Sequence, residues 1–168
     1  LNASVQMLIE LRNYNIGRVN AGYPPIKIGI GLNTGNLMLG TIGGKNRMDG
    51  TVISDSVNIA SRLESLTKEL FIPLIVSDSV VQKLQNKEKF SLREIDDVVM
   101  RGKSQSILIY ECFDSDEPSL KEAKLKNQKQ YNLALTEFRN KKYARAKELF
   151  IECERNCPED SILFIYIN

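Results

Sequence analysis

Hydrophobic residues recur along this chain of 168 residues with the periods of both helices and strands. Spacings of three and four residues predict helices at 3–20, from 57 to about 70, and at 78–85. Alternating or short continuous apolar runs predict strands at 26–32, 37–42, 47–53, 74–76, 90–100 and 107–113. The first three strands are expected to form one long hairpin, and the last two a second hairpin. Helices combined with hairpins favour an α+β fold over a doubly wound parallel sheet.

The pattern changes after residue 113. A polar stretch that contains Pro118 predicts a linker at 114–120, and residues 121–168 carry helical stripes without any strand pattern. The chain is therefore predicted to consist of an α+β part at 1–113, the linker, and a helical segment at 121–168. Because the chain opens inside a helical pattern without Met and closes on an apolar run, we expect a piece of a larger protein.

Composition excludes several classes of protein. A net charge of +2 with 26% charged residues is too balanced to indicate a nucleic-acid partner or an anionic membrane surface. The absence of histidine excludes His-type zinc enzymes and Ser-His-Asp hydrolases. Cys112, Cys153 and Cys157 form an odd, sparse set that is typical of reduced thiols in the cytoplasm. No apolar run approaches the ~18 residues of a membrane span.

The stretch 48–65 holds the densest candidate chemistry. Ser54 is expected to cap the helix that follows a strand. Asn58 and Arg62 are four residues apart, so both project from one face of that helix. An amide beside a guanidinium near a helix N-terminus suits an anionic ligand that is rich in oxygen. The alternative is a solvated face with Arg62 paired to Glu64 or Glu69, which on spacing alone is the commoner arrangement.

Three sequence blocks in order resemble the class III nucleotidyl cyclases. The first is I-G-I-x-L-N-T-G-x-x-x-x-G-x-I-G at 28–43. The second is T-V-I-x-D at 51–55 followed by V-N-x-A-S-R-L-E at 57–64. The third is V-x-x-R-G-K-S at 98–104 followed by I-x-I-Y-E at 107–111. The resemblance covers about 1–113 and implies a ferredoxin-like class III cyclase fold whose first strands are absent from this chain.

The resemblance implies an adenylate cyclase that forms cyclic AMP and pyrophosphate from ATP. In that family the active sites lie between two catalytic domains, so a homodimer is implied. Asn58 would orient the ribose and Arg62 would stabilise charge on the α-phosphate. Thr51, with Val52 beside it, occupies the position that contacts the purine; because threonine can accept a hydrogen bond from an exocyclic amine, ATP is favoured over GTP. The alternative for Thr51 is simple strand propensity.

The turn between the last two predicted strands holds Arg101 and Lys103. The family usually has Lys-Gly-Lys there, with a lysine on the β- and γ-phosphates. Arg101 keeps the charge but not the shape of lysine, so which of the two contacts phosphate stays open. The alternative is an ordinary polar hairpin turn.

Other positions depart from the family pattern. Gly50 stands where Tyr is frequent, Ser54 where Gly is usual and Asn33 where His is frequent, which leaves room for reduced activity. The family binds two Mg²⁺ or Mn²⁺ ions through aspartates in its first strands. Asp49 and Asp55 do not match those positions, so no metal ligand is assigned and the chain alone is expected to be inactive. The lysine that usually partners Thr51 is missing too.

The helical segment resembles a single tetratricopeptide repeat. The matching positions are Leu133, Ala134, Tyr143, Ala146, Phe150, Cys153 and Pro158. This resemblance implies a protein partner for the segment; the alternative is a helical extension that packs on the cyclase part or mediates dimerisation. Two rivals to adenylate cyclase activity are also open. One is a catalytically silent, cyclase-like dimerisation and signalling module, and the other is a guanylate cyclase.

Overall fold

The computed structural model describes residues 1–44, 47–99 and 106–168, with 39–44 and 47–53 described by their backbone alone. The helices are α1 Asn2–Asn20, α2 Asp55–Glu69, α3 Asp78–Val81, α4 Pro118–Arg139, α5 Tyr143–Asn156 and α6 Leu163–Ile167, with a 3-10 turn at Lys87–Lys89. The strands are β1 Ile30–Leu32, β2 Met38–Gly44, β3 Arg47–Ile53, β4 Leu74–Ser77, β5 Leu92–Val99 and β6 Ser106–Cys112. The α+β class predicted from the sequence is confirmed.

The described strands form a four-stranded sheet in the order β1-β4-β6-β5 and a separate two-stranded ribbon, β2-β3. Strands β2 and β3 pair antiparallel, as do β5 and β6, so both predicted hairpins exist. The long hairpin was wrong in one respect, because β1 is not part of it. Instead β1 pairs parallel with β4, with Ile30 opposite Leu74.

The predicted strand at 26–32 is also shorter than expected, because within the described part of the chain only 30–32 pair with another strand. At Ile26 the backbone bonds to a side chain instead. Asn15 of α1 donates from Nδ2 to the Ile26 carbonyl and accepts from the Ile26 amide, both at 2.8 Å. Apolar alternation thus reports neither strand pairing nor burial for the first part of this segment. Ile26 and Ile28 are 41% and 42% exposed, although both lie on the apolar side of the predicted strand.

Helices α4 to α6 pack on the sheet and share its core. Buried residues of the helices, among them Tyr131, Leu135 and Phe150, lie in one hydrophobic cluster with Ile75, Ile95 and Ile109 of the sheet. Helix α4 begins at Pro118, inside the stretch expected as a linker, since proline is well tolerated in the first turn of a helix. This packing is the arrangement considered above as the alternative to a separate repeat.

The helices also bond directly to the backbone of β5. The Tyr131 hydroxyl donates to the carbonyl of Glu94 at 3.0 Å, and the Tyr166 hydroxyl donates to the carbonyl of Ile95 at 2.8 Å. The Gln128 amide donates to the carbonyl of Leu92 at 2.9 Å. Polar groups that would be costly to bury alone are therefore satisfied between the helices and the edge strand.

A buried network of charges joins the sheet to the helices. The Arg93 guanidinium of β5, 4% exposed, donates to both carboxylate oxygens of Asp160 at 2.6 Å and also bonds Glu111 of β6. Lys124 of α4 bonds Glu111 at 2.7 Å and Asp116 at 2.6 Å. Burial alone would lower the pKa of Arg93, but Glu111 and Asp160 outweigh burial and raise it well above its ordinary value.

Removing the Asp160 carboxylate is expected to destabilise the fold strongly. In Asp160→Asn the side chain keeps its shape, but Arg93 loses a forked, buried partner. Breaking one side of a buried ion pair typically costs about 3–5 kcal/mol, and the remaining Glu111 contact favours the lower end of that range. The measurement is the free energy of unfolding in urea.

The matched control is Glu148→Gln. Glu148 pairs with Arg145 at 2.8 Å on the surface, where the two side chains are 65% and 56% exposed. An exposed pair contributes about 0–1 kcal/mol, so the control should stay close to the wild type. Equal stability of Asp160→Asn and the wild type would contradict the structural role given to this network.

Candidate functional site

Helix α2 begins with the cap that the sequence predicts. Ser54 has extended backbone angles, φ −163° and ψ 139°, and its Oγ accepts from the amide of Ser56 at 3.0 Å. The same hydroxyl donates to the carbonyl of Asn36 at 2.5 Å. Because φ is far from the left-handed region, serine causes no backbone strain at this position where the family usually has glycine.

Asn58 and Arg62 lie one turn apart on α2, and both side chains are exposed. Within the described residues neither forms a hydrogen bond or an ion pair. Glu64, one of the two partners considered for Arg62, pairs instead with Lys68 at 3.1 Å. An exposed guanidinium and amide on one helix face, with donors to spare, can bind the oxygens of an anionic ligand.

The position of α2 depends on two glycines, Gly29 just before β1 and Gly31 within it. A Cβ atom placed on Gly31 would lie 2.3 Å from the Glu64 amide and 2.5 Å from the Ala60 carbonyl. One on Gly29 would lie 1.8 Å from the Thr67 hydroxyl. The helix therefore rests on bare strand backbone. The alternation I-G-I-G-L carries this signal, since glycine inside a strand often marks a close approach of another backbone.

The other predicted site residues are described less fully. Thr51 and Val52 lie in β3, opposite Gly40 and Leu39 of β2, and that backbone register is what the structure gives for them. Arg101 and Lys103 lie outside the described residues, in the segment between β5 and β6. The roles given to these four residues thus stay predictions, whereas Asn58 and Arg62 share the expected face of α2.

The described residues do not offer a site for metal ions. Among them, no group of three or more His, Cys, Asp or Glu side chains could hold one. Cyclases of the resembled family generally use Mg²⁺ or Mn²⁺. The described residues do not fit those ions, so the chemistry argued below rests on what this chain's own side chains can do.

The three cysteines are buried and free of disulfides, as predicted. Burial raises the pKa of Cys112 to about 12 and that of Cys153 to about 11. Because the thiolate is the reactive form, these thiols are packing groups rather than nucleophiles. No helix among the described residues has the length and apolar character that crossing a membrane requires.

A hollow of about 630 Å³ lies where α1, the segment before β1 and the end of α2 meet. Leu8, Ile28, Thr67 and Phe71 are among its walls. Thr67 is nine residues beyond Asn58, which corresponds to about 14 Å along a helix. The hollow therefore lies at the C-terminal end of α2, away from Asn58 in the first turns of the helix.

Comparison with known proteins decides the family. Residues 1–114 match the model of the adenylate and guanylate cyclase catalytic domain. The chain belongs to this family. The cyclase resemblance drawn from the three motif blocks is therefore confirmed, and Asn58 and Arg62 lie in the second of those blocks.

Two relatives that match this cyclase domain are named adenylate cyclases. An adenylate cyclase of Anabaena cylindrica is 42% identical over 116 residues, which is 66% of this chain and 23% of the relative. The terminal-differentiation specific adenylate cyclase of Dictyostelium discoideum is 29% identical over 168 residues, 99% of this chain and 8% of the relative. The chain thus spans less than a quarter of the length of either relative.

The fold agrees with a solved cyclase. A bacterial light-regulated adenylyl cyclase superposes with a TM-score of 0.57 and 26% identity, covering 70% of this chain and 34% of the other. The family model ends at residue 114, so it does not include helices α4 to α6. Their resemblance to a tetratricopeptide repeat, and a protein partner for them, stay predictions.

Gly31 provides a direct test of how α2 is placed. In Gly31→Ala the new methyl group must push the backbone of α2 away from β1, because the atoms it would meet belong to the helix backbone. Such overpacking typically costs about 1–3 kcal/mol, measured as the free energy of unfolding in urea. Gly17→Ala in α1 is the control, since nothing lies within 4 Å of its added Cβ. Equal stability of the two variants would show that α2 is not packed this closely.

Proposed function

We propose that this chain is the part of an adenylate cyclase that acts on the ribose and α-phosphate of bound ATP. The full-length protein would form cyclic AMP and pyrophosphate. The observation that carries the proposal is the pair Asn58 and Arg62, exposed side by side on α2 within the family motif, with no partner among the described residues. The names of the Anabaena and Dictyostelium relatives support the same reaction.

Arg62 would stabilise the negative charge that develops during the reaction. When the ribose 3′-hydroxyl attacks the α-phosphate, negative charge grows on the phosphate oxygens and on the departing pyrophosphate. A guanidinium is a planar, permanently charged group with several N–H donors, so it can stabilise that charge without transferring a proton. Donors fixed in advance where charge develops stabilise the transition state more than the bound substrate.

Asn58 would act on orientation. Its amide lies one turn before Arg62 on the same face of α2, so it can bond the ribose while the guanidinium meets the α-phosphate. When the bound nucleotide is held with its 3′-hydroxyl in line with the phosphorus, its rotational freedom is already lost on binding. The chemical step then has a lower entropic barrier. The exposure of both side chains suits a site completed by a second domain, and domains of this family typically act as dimers. We therefore propose a homodimer.

Nucleotide preference is assigned to Thr51, with Val52 beside it. In β3 these residues come just before the Ser54 cap of α2, so the base and the ribose contacts would follow one another along the chain. A threonine hydroxyl can accept from the exocyclic amine of adenine, which favours ATP. Arg101 and Lys103 are the candidates for the β- and γ-phosphates.

The test is cyclic nucleotide formation by the full-length protein with Mn²⁺ and either ATP or GTP. Wild type should form cyclic AMP in preference to cyclic GMP. Arg62→Ala should lower kcat by about 10²–10³, the usual loss on removing a preorganised donor to developing charge. Lys68→Ala is the matched control, because Lys68 is an exposed cation on the same helix, 75% exposed and paired only at the surface. Its rate should stay within about twofold of wild type.

Each other outcome overturns a defined part of the proposal. Cyclic GMP as the main product would make the protein a guanylate cyclase. No product from an intact, dimeric wild type would make it a silent signalling module. Equal turnover of Arg62→Ala and wild type would remove the role assigned to the guanidinium.

A further inference from the structure

One polar side chain links three elements at the end of α2 that carries Asn58. Asn33 follows β1 directly, and its Oδ1 accepts from the hydroxyls of Ser77 at 2.7 Å and Ser79 at 2.9 Å. Its Nδ2 donates to the carbonyl of Ser56 at 3.1 Å. The acceptor end is thus bound to the junction of β4 and α3, and the donor end to the first turn of α2.

The loop around Asn33 holds that first turn at further points. Ser54 Oγ donates to the carbonyl of Asn36. A Cβ on Gly35 would lie 1.9 Å from the Ser56 hydroxyl, so the loop passes the helix closely at this position. Ser56 comes two residues before Asn58 and six before Arg62. A shift of the first turn therefore moves both groups.

We propose that Asn33 is a positioning residue for cyclisation, which fixes the start of α2 so that Asn58 and Arg62 meet the nucleotide correctly. This inference rests on the proposed function. Asn33 itself touches neither nucleotide nor reacting atoms; it acts through the bond to the Ser56 carbonyl. Because a displacement of about 1 Å in a catalytic group can cost about 10²-fold in rate, one hydrogen bond at the start of this helix matters for turnover.

The substitution that isolates this bond is Asn33→Asp. The carboxylate keeps an acceptor for Ser77 and Ser79 but replaces the donor with an oxygen that repels the Ser56 carbonyl. The fold should survive, since a negative charge near a helix N-terminus is itself favourable. We expect kcat of the full-length protein to fall about 10-fold, with KM for ATP within about threefold of wild type.

The matched control is Asn127→Asp. Asn127 of α4 also donates its Nδ2 to a backbone carbonyl, that of Cys153 at 2.7 Å, and its Oδ1 accepts from Asn156 at 3.4 Å. The same atom is exchanged in both variants, but both partners of Asn127 lie in α5 and neither belongs to α2. Turnover of the folded Asn127→Asp protein should stay within about twofold of wild type.

A double-mutant cycle with Arg62→Ala separates positioning from a general loss of structure. If Asn33 acts through α2, the fold-decrease in kcat of the double variant should be much smaller than the product of the fold-decreases in Asn33→Asp and Arg62→Ala. A product of the two losses, or an unchanged kcat in Asn33→Asp, would overturn the inference alone. If Arg62→Ala keeps full turnover, the role proposed for its guanidinium falls and this inference falls with it.

A second variant keeps the test informative if Asn33→Asp does not fold. Gly35→Ala places a methyl group against the flexible Ser56 hydroxyl, a mild clash at the same turn. This variant should also lower kcat more than it changes KM. Combined with Arg62→Ala, it should lower kcat by less than the product of the two separate decreases. An effect on KM alone would overturn the inference.

Discussion

Helix α2 lies directly on the backbone of β1, and the geometry of the candidate site follows from this contact. Because Gly31 leaves no side chain between the strand and the amide of Glu64, the two backbones are in contact and this contact fixes the position of the helix. Its buried face, which includes Leu63 and Leu66, then points into the core. Asn58 and Arg62 lie beside this face, two turns and one turn before Leu66, and remain exposed. A helix that stood one side chain further away would present the same two groups elsewhere.

The packed structure extends beyond the residues that the family model matches. The family model covers 1–114, but Arg93 in β5 is bonded to Asp160 beyond α5, and the core continues through Tyr131 and Phe150. The Dictyostelium relative aligns over 99% of the chain, helices included. Since β5 and β6 flank the segment with Arg101 and Lys103, helices α4 to α6 stabilise the strands on both sides of it.

Local features of the fold could be predicted from the sequence, and pairings between distant residues could not. Periodicity located α1, α2 and both hairpins, and capping chemistry located Ser54, because these depend on neighbours in the chain. The strand at 26–32 was extended too far, since its partner β4 is remote in sequence and short. Arg93 and Asp160 are 67 residues apart, and no spacing rule connects them.

In the candidate site, too, the local features could be predicted from the sequence and the contacts between distant residues could not. Asn58 and Arg62 were predictable because four residues place them on one helical face. Asn33 stood out only as a departure from the family's histidine, and its bonds to Ser56 and Ser77 require the assembled fold.

The central claim is that Arg62 stabilises the transition state rather than the bound nucleotide. The direct measurement is the Kd of 3′-deoxy-ATP, which lacks the attacking hydroxyl, for full-length wild type and Arg62→Ala with Mn²⁺ by calorimetry. The account predicts Kd values within about threefold of each other, while turnover of ATP falls by about 10²–10³. A Kd that weakens as much as turnover falls would contradict it, because Arg62 would then only anchor the substrate.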